Sequence, residues 1–221
     1  MRFAAVLFDC DGVLVDSEPI TIGVLRDLLA EQGWQMTLQE CMHQFVGKWL
    51  SDESANISRR TGKPVTQAWL AEFRKQRDAA LHLHLKPIAG IEVALERIHA
   101  AYGQRIACAS GADRGKVLLQ LHKVGLMHYF ERRIFSGYEM PRSKPAPDVY
   151  LAAALELGVP PTRSAVVEDT VTGVTAGVAA GATVFGYVPH GVTDAQKTAL
   201  MAAGAKALFV DMAELPQLLI A

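Results

Sequence analysis

The residues that could do chemistry gather in four short stretches: Asp9-Cys10-Asp11-Gly12, Ser110-Gly111, Ser143-Lys144-Pro145 and Glu168-Asp169. Together they offer four carboxylates, an ammonium, a hydroxyl and backbone amides. Four carboxylates brought to one place without a cation would repel and raise one another's pKa values. A hard divalent ion resolves that conflict, and oxygen donors with little else favour Mg²⁺. Lys144 adds a compact positive charge for a carboxylate or phosphate oxygen. Ser110, with the amides beside it, can donate to an anion. A carboxylate can also act as the nucleophile and divide a transfer into two steps. The set suits phosphoryl transfer, where catalysis is mostly positioning and charge neutralisation.

Each stretch follows an apolar run that reads as a buried strand, at residues 3–8, 105–109, 133–135 and 164–167. Further runs lie at 183–188 and 207–210, and helical patterns at 91–101, 116–124, 148–157, 171–180 and 194–203 separate the later ones. Such alternation predicts an α/β fold, a Rossmann-like parallel sheet with helices on both faces. Ligands of these sheets bind beyond the carboxyl ends of the strands, where the four stretches fall. Gly103, Gly125, Gly158, Gly181 and Gly204 each follow a helical pattern, as C-cap glycines do. Gly173 and Gly177 suggest a helix packed close on the sheet.

Nearly a hundred residues separate the first strand from the second, far more than a crossover needs. Helical patterns at 21–32, 38–45, 52–60 and 67–83 fill the interval. We expect a core of residues 1–15 and 87–221 and an inserted α-helical cap domain of residues 16–86. Ser17-Glu18-Pro19 and Lys86-Pro87-Ile88-Ala89-Gly90 read as its connectors. The insertion leaves just after Asp9 and Asp11, placed to cover them. Within it, Gly47-Lys48-Trp49 joins a glycine turn to a cation and an aromatic, which suits a substrate-contacting loop. The competing reading is a solvated lysine beside a packed tryptophan.

Asp9-Cys10-Asp11-Gly12-Val13-Leu14-Val15-Asp16-Ser17-Glu18 resembles the first motif of the haloacid dehalogenase-like superfamily. Ala109-Ser110-Gly111 resembles its second motif, Ser143-Lys144-Pro145-Ala146-Pro147-Asp148 its third and Val166-Val167-Glu168-Asp169-Thr170 its fourth, in the family's order and spacing. The helical insertion after the first motif matches the family's type-1 cap. The resemblance implies roles. Asp9 is the nucleophile and a metal ligand. Asp11 is general acid and then base, its backbone carbonyl reaching the metal. Asp169 binds Mg²⁺ directly, and Glu168 does so directly or through water. Lys144 and Ser110 hold Asp9 and the phosphoryl group. Gly111 departs from the asparagine of many relatives, so a side-chain contact to phosphate is missing while the amide remains.

The segment from His128-Tyr129-Phe130 through Phe135-Ser136-Gly137-Tyr138-Glu139 to Lys144-Pro145 resembles 6-phosphogluconate phosphatase-type members. We therefore expect a phosphatase acting on a small phosphorylated metabolite, a sugar or sugar-acid phosphate, with nucleoside monophosphates also open. Ser110, Gly111, Lys144, Lys48 and Trp49 are its expected substrate contacts. A β-phosphoglucomutase-like enzyme is the alternative. Such relatives carry a cap lysine and arginine around a glycine loop, whereas here Lys48 and Trp49 follow Gly47 and no arginine comes before Arg59. A non-catalytic phosphometabolite-binding protein is the third class, disfavoured by the intact charged motifs.

Bulk properties narrow the partners. Half of the 221 residues are hydrophobic and the formal net charge is −1, with no block of like charge. Nucleic acid and anionic membranes are therefore not expected partners. No apolar run spans a bilayer. Asp9 and Asp11 follow the apolar start at once, which does not suit a signal peptide. Cys10, Cys41 and Cys108 make neither a disulfide framework nor a zinc signature, so a reduced cytoplasmic setting is expected, with a monomer or weak homodimer.

Overall fold

The computed structural model describes residues 2–220. Among these, six strands form one sheet: β1 (Ala5–Phe8), β2 (Ile106–Ser110), β3 (Ile134–Ser136), β4 (Ser164–Glu168), β5 (Thr183–Tyr187) and β6 (Ala207–Phe209). Their order is β3-β2-β1-β4-β5-β6 and all pairs are parallel. β1, β2 and β4 are buried along their whole length. That explains why they read as continuous apolar runs instead of alternating ones. The chain winds from β1 outward to β3, returns beside β1 at β4, and winds outward again to β6. The reversal lies between β1 and β4, so their carboxyl ends flank the crevice where such sheets bind ligands.

The chain forms two compact units. One runs to Val15 and resumes at Pro87; the other is Asp16–Lys86. In the second lie α1 (Glu18–Glu31), α2 (Leu38–Phe45), α3 (Ser54–Thr61) and α4 (Gln67–His84), packed on a core that includes Leu25, Leu29, Cys41, Phe45, Ile57 and Phe73. Glu18 and Pro19, expected in a connector, are the first residues of α1. Proline suits a first turn, where its missing N–H would have no helical partner. Thr37 and Glu40 close α2 with a capping box.

The sheet unit carries α5 (Ile91–Tyr102), α6 (Arg114–Lys123), α7 (Met127–Phe130), α8 (Asp148–Glu156), α9 (Val171–Ala179), α10 (Asp194–Ala202) and α11 (Leu215–Ile220). Leu7, Ala109 and Val166 from the sheet meet Val149, Tyr150 and Ala153 of α8 and Val174 of α9. Phe8 meets Phe130 edge to face, ring centres 6.0 Å apart. A Cβ on Gly177 would lie 2.7 Å from Val184 Cγ2, so α9 rests directly on the strands, as expected of that glycine. No helix among the described residues is long and apolar enough to cross a membrane.

Candidate active site

The loop after β1 is shaped by one tight turn. Asp9 N–H donates to Val167 C=O at 3.0 Å, extending the β1–β4 ladder by one residue and fixing the side chain at the mouth of the crevice. The chain then folds back, with Gly12 N–H on Val15 C=O and Leu14 and Val15 N–H both on Cys10 C=O. Gly12 has φ 79°, a left-handed conformation open to glycine at little cost. Its missing side chain has a second use. A Cβ there would sit 2.0 Å from Asp169 Oδ2, so glycine also makes the cradle that admits Asp169 beside the loop.

Lys144, in the loop beyond β3, is the cation of the site. Its Nζ donates to Asp9 Oδ1 at 2.7 Å and to Glu168 Oε1 at 2.6 Å, and it lies 4.7 Å from the centre of the Tyr150 ring. Tyr150 O–H donates to Glu168 Oε1 at 2.7 Å. The other oxygen, Glu168 Oε2, accepts from Asp169 N–H, Thr170 N–H and Thr170 Oγ1 at 3.0–3.2 Å. Glu168 is fully buried, and Gly173 leaves room for it, since a Cβ there would fall 1.7 Å from Oε1. Gly173 thus makes space for a carboxylate, whereas Gly177 serves helix packing.

Electrostatics follow from this crowding. Burial is the largest influence on Asp9; Glu168 and Asp11 add to it and Lys144 opposes it, leaving the carboxyl raised to about 7. Burial also works against a charged Glu168, but Lys144 and the hydrogen bonds outweigh it, and its pKa lies below the ordinary value. Burial would lower Lys144, yet Asp9 and Glu168 hold it well above its ordinary range. The lysine is therefore a permanent cation and Asp9 is the carboxylate short of positive charge.

A divalent cation fits that deficit. Asp9, Glu168 and Asp169 each bring a carboxylate oxygen within 4.8 Å of the others. Oxygen-only donors suit Mg²⁺, and the cradle opened by Gly12 lets Asp169 approach. Glu168 accepts five hydrogen bonds, from Lys144, Tyr150, Asp169 N–H and Thr170, and still brings an oxygen into this cluster. Asp11 contributes no carboxylate oxygen to this cluster. Its Oδ1 is bonded to Lys116 Nζ and Gln120 Nε2 of α6, each at 2.7 Å.

The sequence pattern of the haloacid dehalogenase-like hydrolases matches residues 3–181. The chain belongs to that family. This hydrolase is 30% identical to 6-phosphogluconate phosphatase of Escherichia coli over 192 residues, covering 86% of this chain and 85% of that one. It is 34% identical over 185 residues to SUPPRESSOR OF QUENCHING 1 of Arabidopsis thaliana, spanning 81% of this chain but 17% of the plant protein. A family member from Deinococcus radiodurans, crystallised with phosphate and sodium, superposes with a TM-score of 0.78 at 35% identity, covering 97% of this chain and 93% of that one. The hydrolase is a phosphoric monoester hydrolase.

The remaining expected residues fall in two places. Ser110 ends β2, is fully buried, and its Oγ accepts from Ala112 N–H at 3.0 Å. The backbone of Gly111 is crossed closely by the β3 loop: a Cβ on Gly137 would lie 3.3 Å from Gly111 Cα. A Cβ on Gly111 itself would have Lys144 Cδ as its nearest neighbour, at 4.0 Å, so this position adjoins Lys144. Lys48 and Trp49 belong to the Asp16–Lys86 unit. Lys48 is exposed and paired with Glu53 at 3.2 Å, and Trp49 is half-buried. The sequence assigns no role to Lys116, Gln120, Tyr150 or Thr170. A signal was present in α6: Lys116 and Gln120 lie one turn apart, beside the buried pair Val117 and Leu121, where a polar side chain needs a partner.

Proposed function

We propose that this hydrolase removes the phosphoryl group from a small phosphorylated sugar or sugar acid, with 6-phosphogluconate the leading candidate, through an aspartyl-phosphate on Asp9. One observation carries the reading. The Asp9 carboxylate, with Lys144 at 2.7 Å and Asp169 alongside, stands at the reversal point of the sheet. Asp9 attacks phosphorus while Asp11 gives a proton to the departing oxygen. A water then attacks the phosphoryl group, Asp11 takes its proton, and the bond to Asp9 breaks. Lys144 holds Asp9 and takes up charge on the phosphoryl oxygens, and Ser110 and the Gly111 amide bind them. Asp9, Asp169 and the Asp11 backbone carbonyl would hold Mg²⁺, with Glu168 outside them, and the ion would supply charge neutralisation on the transferring group.

Lys48 and Trp49 are proposed to set preference among substrates. The 30% identity to a 6-phosphogluconate phosphatase supports the substrate class. The three cysteines form no disulfide and are buried, which supports a reduced cytoplasmic setting. The near-zero net charge supports small molecules over nucleic acid or membrane as partners. Action as a monomer or weak homodimer is proposed beside it. The test is a screen of phosphorylated metabolites with phosphate detection, with and without Mg²⁺. Release from sugar and sugar-acid phosphates, lost on chelation and in Asp9→Asn, is the expected result. Turnover by Asp9→Asn at the normal rate would exclude the covalent route.

A further inference from the structure

Asp11 is gripped from one side by two residues that no motif of the chain announces. α6 starts four residues beyond Ser110, its first turn fixed by Asp113, whose side chain accepts from Lys116 N–H at 2.9 Å. That cap sets the helix phase. Lys116 and, one turn later, Gln120 then face the nucleophile loop. Both are buried, Gln120 completely and Lys116 to 6% exposure. A buried ammonium costs free energy unless a counter-charge meets it, and a buried amide costs free energy unless it is hydrogen-bonded. Asp11 meets both needs: Lys116 Nζ and Gln120 Nε2 each lie 2.7 Å from Oδ1. Gln120 cannot reverse its amide without placing an oxygen against a carboxylate. It also accepts from Cys10 Sγ through Oε1 at 3.4 Å, so one side chain registers two successive residues of the loop.

We infer that Lys116 and Gln120 are positioning residues for Asp11: two donors on Oδ1, from a helix whose cap fixes its phase, hold the carboxylate in one orientation through both half-reactions. In the first half-reaction the bond from phosphorus to Asp9 forms, the bond to the leaving oxygen breaks, and Asp11 gives its proton to that oxygen. In the second half-reaction water attacks phosphorus, its proton returns to Asp11, and the bond to Asp9 breaks. The carboxylate must therefore face two different partners in turn without rotating. Two donors on Oδ1 supply that restraint. The inference rests on the reading of Asp11 as the proton-transfer group.

The test separates esters by leaving group. Lys116→Met keeps the stem and removes the ammonium. With an alkyl phosphate, 6-phosphogluconate or glucose 6-phosphate if faster, kcat should fall on the order of tenfold to a hundredfold, part of what a general acid supplies. KM should change by less than about threefold. With p-nitrophenyl phosphate the leaving group departs without a proton. Stopped flow should then show a first turnover near the wild-type rate, a burst of nitrophenolate, and a slow steady state limited by the water step. Gln120→Met should give the same pattern with smaller amplitude, and it carries the test if Lys116→Met fails to melt as a folded protein. Lys116→Arg should recover part of the loss. Asp11→Asn is run beside them. If it lacks the split between esters, Asp11 is not the acid and base, and this inference falls with that reading. If it shows the split while both α6 variants stay at wild-type rates, or slow the aryl burst as much as the alkyl ester, the positioning role alone is overturned.

Discussion

Lys144 Nζ stands 2.7 Å from Asp9 Oδ1, although 135 residues separate the two in the chain. The same nitrogen serves Glu168, so a single cation is shared by two buried carboxylates. Lys144→Met should leave those carboxylates facing each other without compensation. Breaking a buried pair this way costs about 3–5 kcal/mol. We expect a clear fall in Tm and a loss of turnover of at least about a thousandfold, and Asp9 should rise further above its present value of about 7. Denaturant unfolding and steady-state phosphate release measure the two effects. A variant as stable as wild type would mean that the pair contributes nothing to folding.

Asp9 gives stability a characteristic pH dependence in the metal-free protein. Its folded pKa, about 7, lies above the ordinary value of 3.8, chiefly through burial. The folded state therefore binds the proton more tightly than the unfolded chain. The resulting contribution is fully present below about pH 3.8 and is lost as pH rises through about 7, an effect on the order of a few kcal/mol. Asp9→Asn cannot ionise. The Tm of wild type relative to Asp9→Asn should thus fall between about pH 4 and pH 8, and added Mg²⁺ should reverse the fall at the upper end. Paired thermal melts across that range check the sign; a rising difference would contradict the burial argument.

Gly12 should be irreplaceable for metal binding. Alanine there must adopt φ near 79°, at about 1–2 kcal/mol, and its Cβ would press on Asp169 Oδ2. Gly12→Ala should fold with reduced stability and lose most of its thermal response to Mg²⁺. Titration of Mg²⁺ followed by Tm reads this without reference to activity. An unchanged response would show that Asp169 does not need the cradle.

Tyr150 lies outside every recognised motif, yet it touches both charges of the central pair through its ring and its hydroxyl. Tyr150→Phe deletes one donor to Glu168 and keeps the face toward Lys144. We expect a loss of about 1–2 kcal/mol in stability, because a buried carboxylate oxygen loses a partner. The drop in kcat should be far smaller than in Lys144→Met. A drop equal to that of Lys144→Met would make the phenol hydroxyl a participant in the reaction.

Selectivity is the remaining expectation. Lys48→Ala and Trp49→Ala should alter the ratio of kcat/KM between two phosphorylated sugars while p-nitrophenyl phosphate is hydrolysed nearly as before. Because Lys48 is already paired with Glu53, Glu53→Gln should shift the same ratio by freeing the ammonium. Equal losses on every substrate would mark these residues as structural.

Much of this arrangement could be read from the amino-acid sequence, and the omissions share a cause. Strand ends announced Asp9, Ser110 and Glu168-Asp169, because a run buried on both faces stops sharply at polar residues, whereas Lys144 lies in the loop beyond the edge strand β3 and was marked by the Ser143-Lys144-Pro145 motif. The helix read at 38–45 coincides with α2. The first strand starts at Ala5 and not at Phe3, since Ala4 N–H turns to Arg163 before the ladder begins. α7 and α11 were passed over because four and six residues carry too little periodicity to show a face. Lys116, Gln120 and Tyr150 escaped for another reason. Gln120 reaches Asp11 across 109 residues, and that partnership exists only once β1 and β2 lie side by side.

The point where the insertion departs is also the point where it returns. Val15 bridges Pro87, Ile88 N–H bonds to Leu14 C=O, and Asp16 N–H bonds to Lys86 C=O at 3.0 Å. The outgoing and incoming strands of chain are thus stitched side by side at the edge of the turn that follows Asp9. The sheet experiences everything between them as a single short splice, whatever its length. Genetic exchange at this seam could replace the whole helical insert, or trim it to a few residues, without moving Asp9 relative to Val167 or Gly12 relative to Val15. Such a socket lets the insert be exchanged by transplantation while the sheet keeps its own registers.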